Sequence, residues 1–452
     1  MPTRRLFLET ALLPTGWESG VALDVENGEI TALTPNAQPG DRERLPGIAL
    51  PGLPNLHSHT FQRAMAAQAE TRGPTADSFR TWRELMYRHL QRLTPDDVEA
   101  IAAFAMMEML ESGFTALAEF HYLHHDPQGR PYANPAELCE RIAAASAQTG
   151  IGLTLLPSLY THGGFADAAP TPGQARFIND LDAFARLLQA AQTAIAPLDD
   201  AALGIAPHSL RAIPSAALAH LSSLTAGPIH IHVAEQTREV EDCLAWSAQR
   251  PVDYLLAHAD IGPRWCLIHA THMTPSETEA LARSGAVAGL CPLTEASLGD
   301  GIFPARAYLD ATGSVGIGSD SNIEISAPSE LKSLEYAQRL SHRARNVLAA
   351  GPGASTGRTL YDAALSGGAQ ALARRIGRLQ PGYRADLLLL DPSHPDLAHA
   401  HADRILDAYL FTAGSKAIDT VIVAGRTLVS AGRHHARQPI TARYRQTLAC
   451  LA

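Results

Sequence analysis

Acids and histidines in this chain stand where short apolar runs end. His57-Ser58-His59 closes the run Gly52-Leu53-Pro54-Asn55-Leu56. On a strand, residues i and i+2 face the same way, so both imidazoles point to one side. Imidazole nitrogen suits zinc and its neighbours among the divalent ions. Glu119, His208, His232, His269 and Asp320 each end a further apolar run. A lone H-x-H, or His232, His269 or Asp320 taken singly, reads more readily as a hydrogen-bonded buried group. Together they are an expensive set to bury unless they serve chemistry. The chemistry they suit is hydrolysis with a metal-activated water.

The elements that must carry these groups are legible as eight β-like runs alternating with helical stretches. The runs are Ile48–His59, Phe114–Phe120, Ile151–Thr161, Leu203–Arg211, Pro228–Glu235, Cys266–His272, Ala286–Leu293 and Ser314–Asp320. Near-continuous apolar runs separated by helices indicate parallel strands covered on the outside, and eight of them indicate a closed barrel. In such barrels the chemistry sits at the strand C-termini, where the polar residues lie. The expected fold is therefore α/β: a (β/α)₈ TIM barrel over residues 51–377. Residues 1–50 and 378–452 are expected to join as a small β-sandwich domain. Its strands read as Leu6–Leu13, Gly20–Val25 and Glu29–Leu33, with a hairpin turn at Glu26-Asn27-Gly28, and as Ala385–Asp391 and Asp419–Gly425. The stretch Thr161–Asp200, with Gly163-Gly164 and Pro170-Thr171-Pro172, reads as a long loop over the site. His124, His125, His399, His401, His434 and His435 fall outside the barrel strand ends and read as surface residues.

Composition narrows the class. The chain has 452 residues, 46% hydrophobic and 18% charged, as in an ordinary globular enzyme. Its net charge of -10 disfavours nucleic acid and anionic membranes as partners. The five cysteines form no CxxC pair, a pattern of reduced thiols that points to the cytoplasm. No apolar run reaches the roughly 18 residues of a membrane helix. Thr3-Arg4-Arg5-Leu6-Phe7-Leu8 has the look of a twin-arginine export signal, but Glu9, Pro14 and Glu18 interrupt the apolar stretch after it. It is expected to be a first strand.

The order and spacing of several motifs resemble the amidohydrolase superfamily over nearly the whole chain. They are Pro51-Gly52-Leu53-Pro54-Asn55-Leu56-His57-Ser58-His59, His232-Val233-Ala234-Glu235, Ile268-His269-Ala270, Gly316-Ile317-Gly318-Ser319-Asp320 and the tail Gly377–Leu387. The resemblance implies metal ligands His57, His59, His232 and Asp320. Two-metal members commonly bridge their ions with a carboxylated lysine on the fourth strand. The two lysines here, Lys332 and Lys416, both follow the eighth strand, so one Zn²⁺ per chain is expected. The resemblance also gives Glu235 the role of proton shuttle, His269 that of orienting the attacking water, and Asp320 that of accepting its proton.

Further residues resemble the formiminoglutamate deiminases of histidine breakdown, a branch of that superfamily. They are Phe61-Gln62-Arg63, Arg83 ahead of an expected helix, Glu119-Phe120-His121-Tyr122 and His208-Ser209-Leu210-Arg211. The implied reaction is hydrolysis of N-formimino-L-glutamate to N-formyl-L-glutamate and ammonia. Arginine binds carboxylate bidentately, so Arg83 and Arg211 become clamps for a small dicarboxylate. Gln62, Tyr122 and His208 would complete the pocket. Arg83 also reads as a solvated helix residue, and Tyr122 as rim packing. The alternatives are a deaminase of a nucleobase or adenosine derivative, a related chlorohydrolase, and a non-catalytic barrel. A homodimer is expected by analogy.

Overall fold

A computed structural model describes residues 3–74 and 77–451. The chain opens with four strands, β1 Arg4–Leu13, β2 Gly16–Glu26, β3 Glu29–Thr34 and β4 Glu43–Pro51. Arg4 and Arg5 thus lie in a strand. Glu26 pairs with Glu29 across Asn27 and Gly28, both at positive φ, as a two-residue hairpin of this twist requires.

The run Ile48–His59, expected as one strand, is two. At Gly52 the chain leaves the small sheet for the barrel: its N–H bonds to the Asp386 carbonyl, while Leu53 bonds to that of Gly113. A Cβ at Gly52 would stand 2.3 Å from Thr115. The barrel follows as β5 Leu53–Ser58, β6 Phe114–His121, β7 Gly152–Leu159, a fourth strand broken into β8 Ala201–Leu203 and β9 Ala206–Pro207, β10 Ile229–Val233, β11 Trp265–His269, β12 Val287–Leu290 and β13 Ser314–Ile317. The fourth strand breaks at Gly204, where a Cβ would meet the Pro228 carbonyl at 2.3 Å. All pairings within β5–β9 and within β10–β13 are parallel. Parallel bridges Ile205–Ile229 and Ser209–His232 join the halves on one side, and Ser58–Asp320 closes the barrel on the other. The closing seam thus runs through the residues expected to do the chemistry.

Two helices follow β5, and the first lines the cleft at the barrel mouth. In α1, Phe79–Leu90, Ser78 and Thr81 form a capping box; Arg83 lies inside this helix, not ahead of it. In α2, Pro95–Glu111, Thr94 and Asp97 form the box and Pro95 takes the first turn. The stretch Thr161–Asp200 is not a bare loop. Asp180 caps a helix, Leu181–Ile195, by accepting from the Ala183 N–H, and Phe184, Leu187, Ala191 and Ile195 bury one face of it.

After the barrel the chain returns to the small sheet with β14 Leu387–Leu390, β15 Ile418–Val423, β16 Arg426–Ser430 and β17 Arg433–His434. Eight strands join in one path, β17-β16-β15-β14-β4-β1-β2-β3. The path curls back on itself, since the Ala385 N–H donates to the Gly28 carbonyl and Arg4 reaches that of Gly425. It encloses a separate apolar core that includes Leu6, Leu8, Leu23, Leu387 and Ile422. The last helix, Arg437–Leu451, packs on α2, with Tyr444 stacked on Phe104 at 3.9 Å and Arg443 paired with Glu99. No helix among the described residues is long and apolar enough to cross a membrane.

Candidate metal centre and substrate pocket

Strand alternation and closure of the barrel bring His57, His59, His232 and Asp320 together; one ligand atom from each lies within 4.8 Å of the others, all buried. The His232 Nε2 is 3.2 Å from that of His57 and 3.3 Å from that of His59. The Asp320 Oδ1 stands 3.3 Å from His57 Nε2 and 3.5 Å from His59 Nε2. The tautomers follow from the second ring nitrogens. His59 Nδ1 donates to the Phe120 carbonyl at 2.8 Å, and His232 Nδ1 to that of His208 at 3.0 Å. Both Nε2 atoms are then bare lone pairs in mutual contact, which only a cation between them makes favourable. An ion bonded tetrahedrally to nitrogens at about 2.0–2.1 Å spaces them about 3.3–3.4 Å apart. The donor set therefore fits a divalent ion, with backbone carbonyls orienting its ligands.

Electrostatics agree. Burial pulls His57 down to about 3 and holds His59 and His232 below their usual range, so all three are neutral, as ligands must be. Burial alone would raise Asp320, but the imidazoles of His57, His269 and His59 keep it below the ordinary carboxylate range.

His269, the last residue of β11, and Asp320, three residues beyond β13, lie in the left-handed region, at φ +68° and +43°. Such backbone is uncommon outside glycine and gathers at functional sites. It turns the His269 Nε2 to 3.7 Å from Asp320 Oδ2 and 3.8 Å from Glu235 Oε1. The His269 Nδ1 is 3.2 Å from Glu295 Oε1. Burial opposes charge on this ring, yet Glu235, Glu295 and Asp320 lift it to about 10. Burial pushes the Glu235 carboxyl up to about 7 against the pull of His269. A carboxyl poised to give or take a proton near neutral pH thus lies beside a cationic imidazole.

A cleft opens onto this cluster and is lined by all five residues expected to hold substrate: Gln62, Arg83, Tyr122, His208 and Arg211. Gln62 donates to Tyr122 Oη at 2.8 Å and leaves its own carbonyl oxygen buried without a partner. Arg83 is flanked by the rings of Phe79 and Tyr87, at 5.7 and 5.8 Å. The Nε–H groups of Arg83 and Arg211 are likewise buried and unpartnered. Neither guanidinium meets a carboxylate among the described residues.

Several site residues went unread in the sequence. Glu295, five positions beyond the seventh strand, fixes His269 and also accepts from the Cys291 N–H at 2.9 Å. Asn55, Ser319 and Asn322 tie β5 to β13 beneath the ligands: Asn55 Nδ2 donates to Ser319 Oγ at 2.7 Å, and Asn322 Nδ2 to the carbonyls of His59 and Asp320. Trp82, Met86, Tyr160 and Phe177 complete the pocket wall. Glu119 faces away from the cleft, accepting from the backbone and hydroxyl of Thr60 at 2.8 and 2.7 Å. Of the six histidines expected at the surface, His124 and His434 are buried. Their Nε2 atoms donate to the carbonyls of Ser158 and Thr149.

The sequence pattern of the amidohydrolase family matches residues 48–428, which span the whole barrel and its closing strands. The chain belongs to this family. Among amidohydrolases, formimidoylglutamate deiminase of Pseudomonas aeruginosa is 52% identical, over 95% of each chain. The 8-oxoguanine deaminase of the same organism is 29% identical over 91% of this chain and 90% of its own. The crystal structure of an amidohydrolase from Brucella melitensis superposes with a TM-score of 0.94 at 48% identity, covering 99% of both chains. A zinc-bound adenosine deaminase from Xanthomonas campestris shares the fold, with a TM-score of 0.81 at 21% identity over 99% of this chain and 98% of its own. This amidohydrolase is a metal-dependent hydrolase of carbon–nitrogen bonds.

Proposed function

We propose that this amidohydrolase converts N-formimino-L-glutamate and water to N-formyl-L-glutamate and ammonia, using one zinc ion per chain. The observation that carries the substrate is the pair Arg83 and Arg211: two buried guanidinium edges facing one cleft with no carboxylate partner. A buried cation needs a partner, and a substrate with two carboxylates supplies both. A nucleobase supplies neither. The identity to formimidoylglutamate deiminase of Pseudomonas aeruginosa supports the same substrate. Zinc suits three imidazoles and a carboxylate. A single ion is supported by the lysines, which lie in the helix Ala327–His342 and the turn Gly414–Ala417, far along the chain from the fourth strand.

His57, His59, His232 and Asp320 would hold the ion, which when bound acidifies water and polarises the carbon–nitrogen double bond. The chain's own groups then divide the proton traffic. Asp320 accepts a proton from the water that attacks the formimino carbon. His269, cationic and held by Glu295, orients that water and offsets the charge that develops. Glu235, with its carboxyl near 7, gives its proton to the imino nitrogen. The tetrahedral carbon then carries hydroxyl, amine and the glutamate nitrogen. Transfer of the hydroxyl proton through Glu235 to the amine releases ammonia and leaves the formyl group, and passage of the Asp320 proton to Glu235 restores both carboxyl groups. Gln62, Tyr122 and His208 position the substrate between the arginines and the acid.

The test is ammonia release from formiminoglutamate, guanine, cytosine, adenosine and a formimino amino acid lacking the side-chain carboxylate. Turnover confined to formiminoglutamate is expected. Preference for a nucleobase would overturn the reading. The reduced thiols support a cytoplasmic enzyme.

A further inference from the structure

We propose that a thiophilic divalent cation binds beside the catalytic ion, on His269, Cys291 and Asp320, and inhibits the enzyme. This rests on the reading of His57, His59, His232 and Asp320 as the catalytic ion's ligands.

Cys291 directly follows β12, so its fully buried thiol lies in the ring of strand ends. One ligand atom each from His269, Cys291 and Asp320 lies within 4.8 Å of the others. Asp320 serves the two clusters with different oxygens: Oδ1 stands toward His57 and His59, and Oδ2 toward His269. A carboxylate so placed bridges two ions, which in two-metal sites lie roughly 3.5–4 Å apart. With Glu295 holding the His269 Nδ1, the Nε2 is the ring atom left to bind, and the incoming ion displaces its proton and that of the Cys291 thiol to solvent.

The donors differ from those of the first centre. A thiolate selects soft or borderline ions such as cadmium and excess zinc over magnesium or manganese. The site also owes nothing to a bridging lysine. Its occupation is inhibitory because it takes the two atoms the reaction needs: the His269 Nε2 that orients the water and the Asp320 Oδ2 that receives its proton.

The experiment titrates cadmium into the zinc-loaded enzyme carrying Cys450→Ser, which removes the exposed thiol. Activity, bound cadmium and zinc, and ultraviolet thiolate-to-cadmium absorption are followed together. One cadmium is expected to bind with zinc retained, as the absorption band appears and turnover falls. Adding Cys291→Ala should leave untreated kcat unchanged and abolish the band. It should weaken inhibition at least as much as the roughly 10–100-fold typical of losing an outer-shell partner. Cadmium that merely replaces zinc, or equal inhibition of Cys291→Ala, overturns the second site. Absence of zinc from the untreated, active enzyme would instead overturn the catalytic reading.

Discussion

His59 and His232 face each other with 3.3 Å between their Nε2 atoms, and each donates a hydrogen bond from its Nδ1–H to a backbone carbonyl. Two lone pairs in contact inside a barrel are stable only around a cation. Removing the ion with a chelator should therefore lower the thermal midpoint, and zinc should restore it. Ligand at a hundred times its dissociation constant contributes about 2.7 kcal/mol, which is at least a few degrees in a protein of this size. Scanning calorimetry before and after chelation checks this. An unchanged midpoint in demonstrably metal-free protein would contradict it.

Glu235→Gln removes the proton donor but keeps its size. We expect kcat to fall by roughly 10²–10⁴-fold, with zinc content unchanged. The first transfer needs a protonated carboxyl, and burial places this one at about 7. The rate should therefore decline as pH rises past that value. A pH-rate profile without this limb, or a variant with near-normal turnover, argues against the shuttle.

Arg211→Met removes one guanidinium from the cleft. A hydrogen bond to a charged group is worth roughly 1.5–3 kcal/mol, so KM for formiminoglutamate should rise about 10–100-fold while zinc content holds. Steady-state kinetics decides: a normal KM ends the clamp.

Glu119 gives a stability prediction with a definite sign. Burial raises its carboxyl from the ordinary range to about 8, against the hydrogen bonds from Thr60. Between about 4.5 and 8 the unfolded chain has lost this proton and the folded one keeps it, so the group's contribution to stability falls as pH rises through that window. Glu119→Gln keeps the neutral shape and removes the dependence. The variant should gain thermal stability relative to the parent between pH 5 and pH 8.5. A difference flat with pH would show that the acid is not held protonated.

The barrel was legible because each parallel strand, covered on both faces, reads as an apolar run, and because its catalytic end is marked by a polar residue. His57 and His59 needed only strand alternation. The joint at Gly52 was hidden, since a strand of the small sheet runs into one of the barrel without a polar break. Arg83 does line the cleft, but its helix starts earlier than the reading allowed, at the Ser78 cap. Glu295, Asn55 and Asn322 were not legible as partners, because nothing local marks a hydrogen bond that spans tens or hundreds of residues. His124 and His434 misled for the same reason: carbonyls distant in sequence, at Ser158 and Thr149, make their burial tolerable.

Convergence of His57, His59, His232 and Asp320 on one ion is tested most directly by elemental analysis. The samples are the wild-type enzyme, His232→Ala and Asp320→Ala, purified without added metal and assayed for ammonia release. Close to one zinc per wild-type chain is expected, with zinc and turnover falling together in both variants. A metal-free wild type that still releases ammonia, or variants that keep a full complement of zinc, would contradict the account.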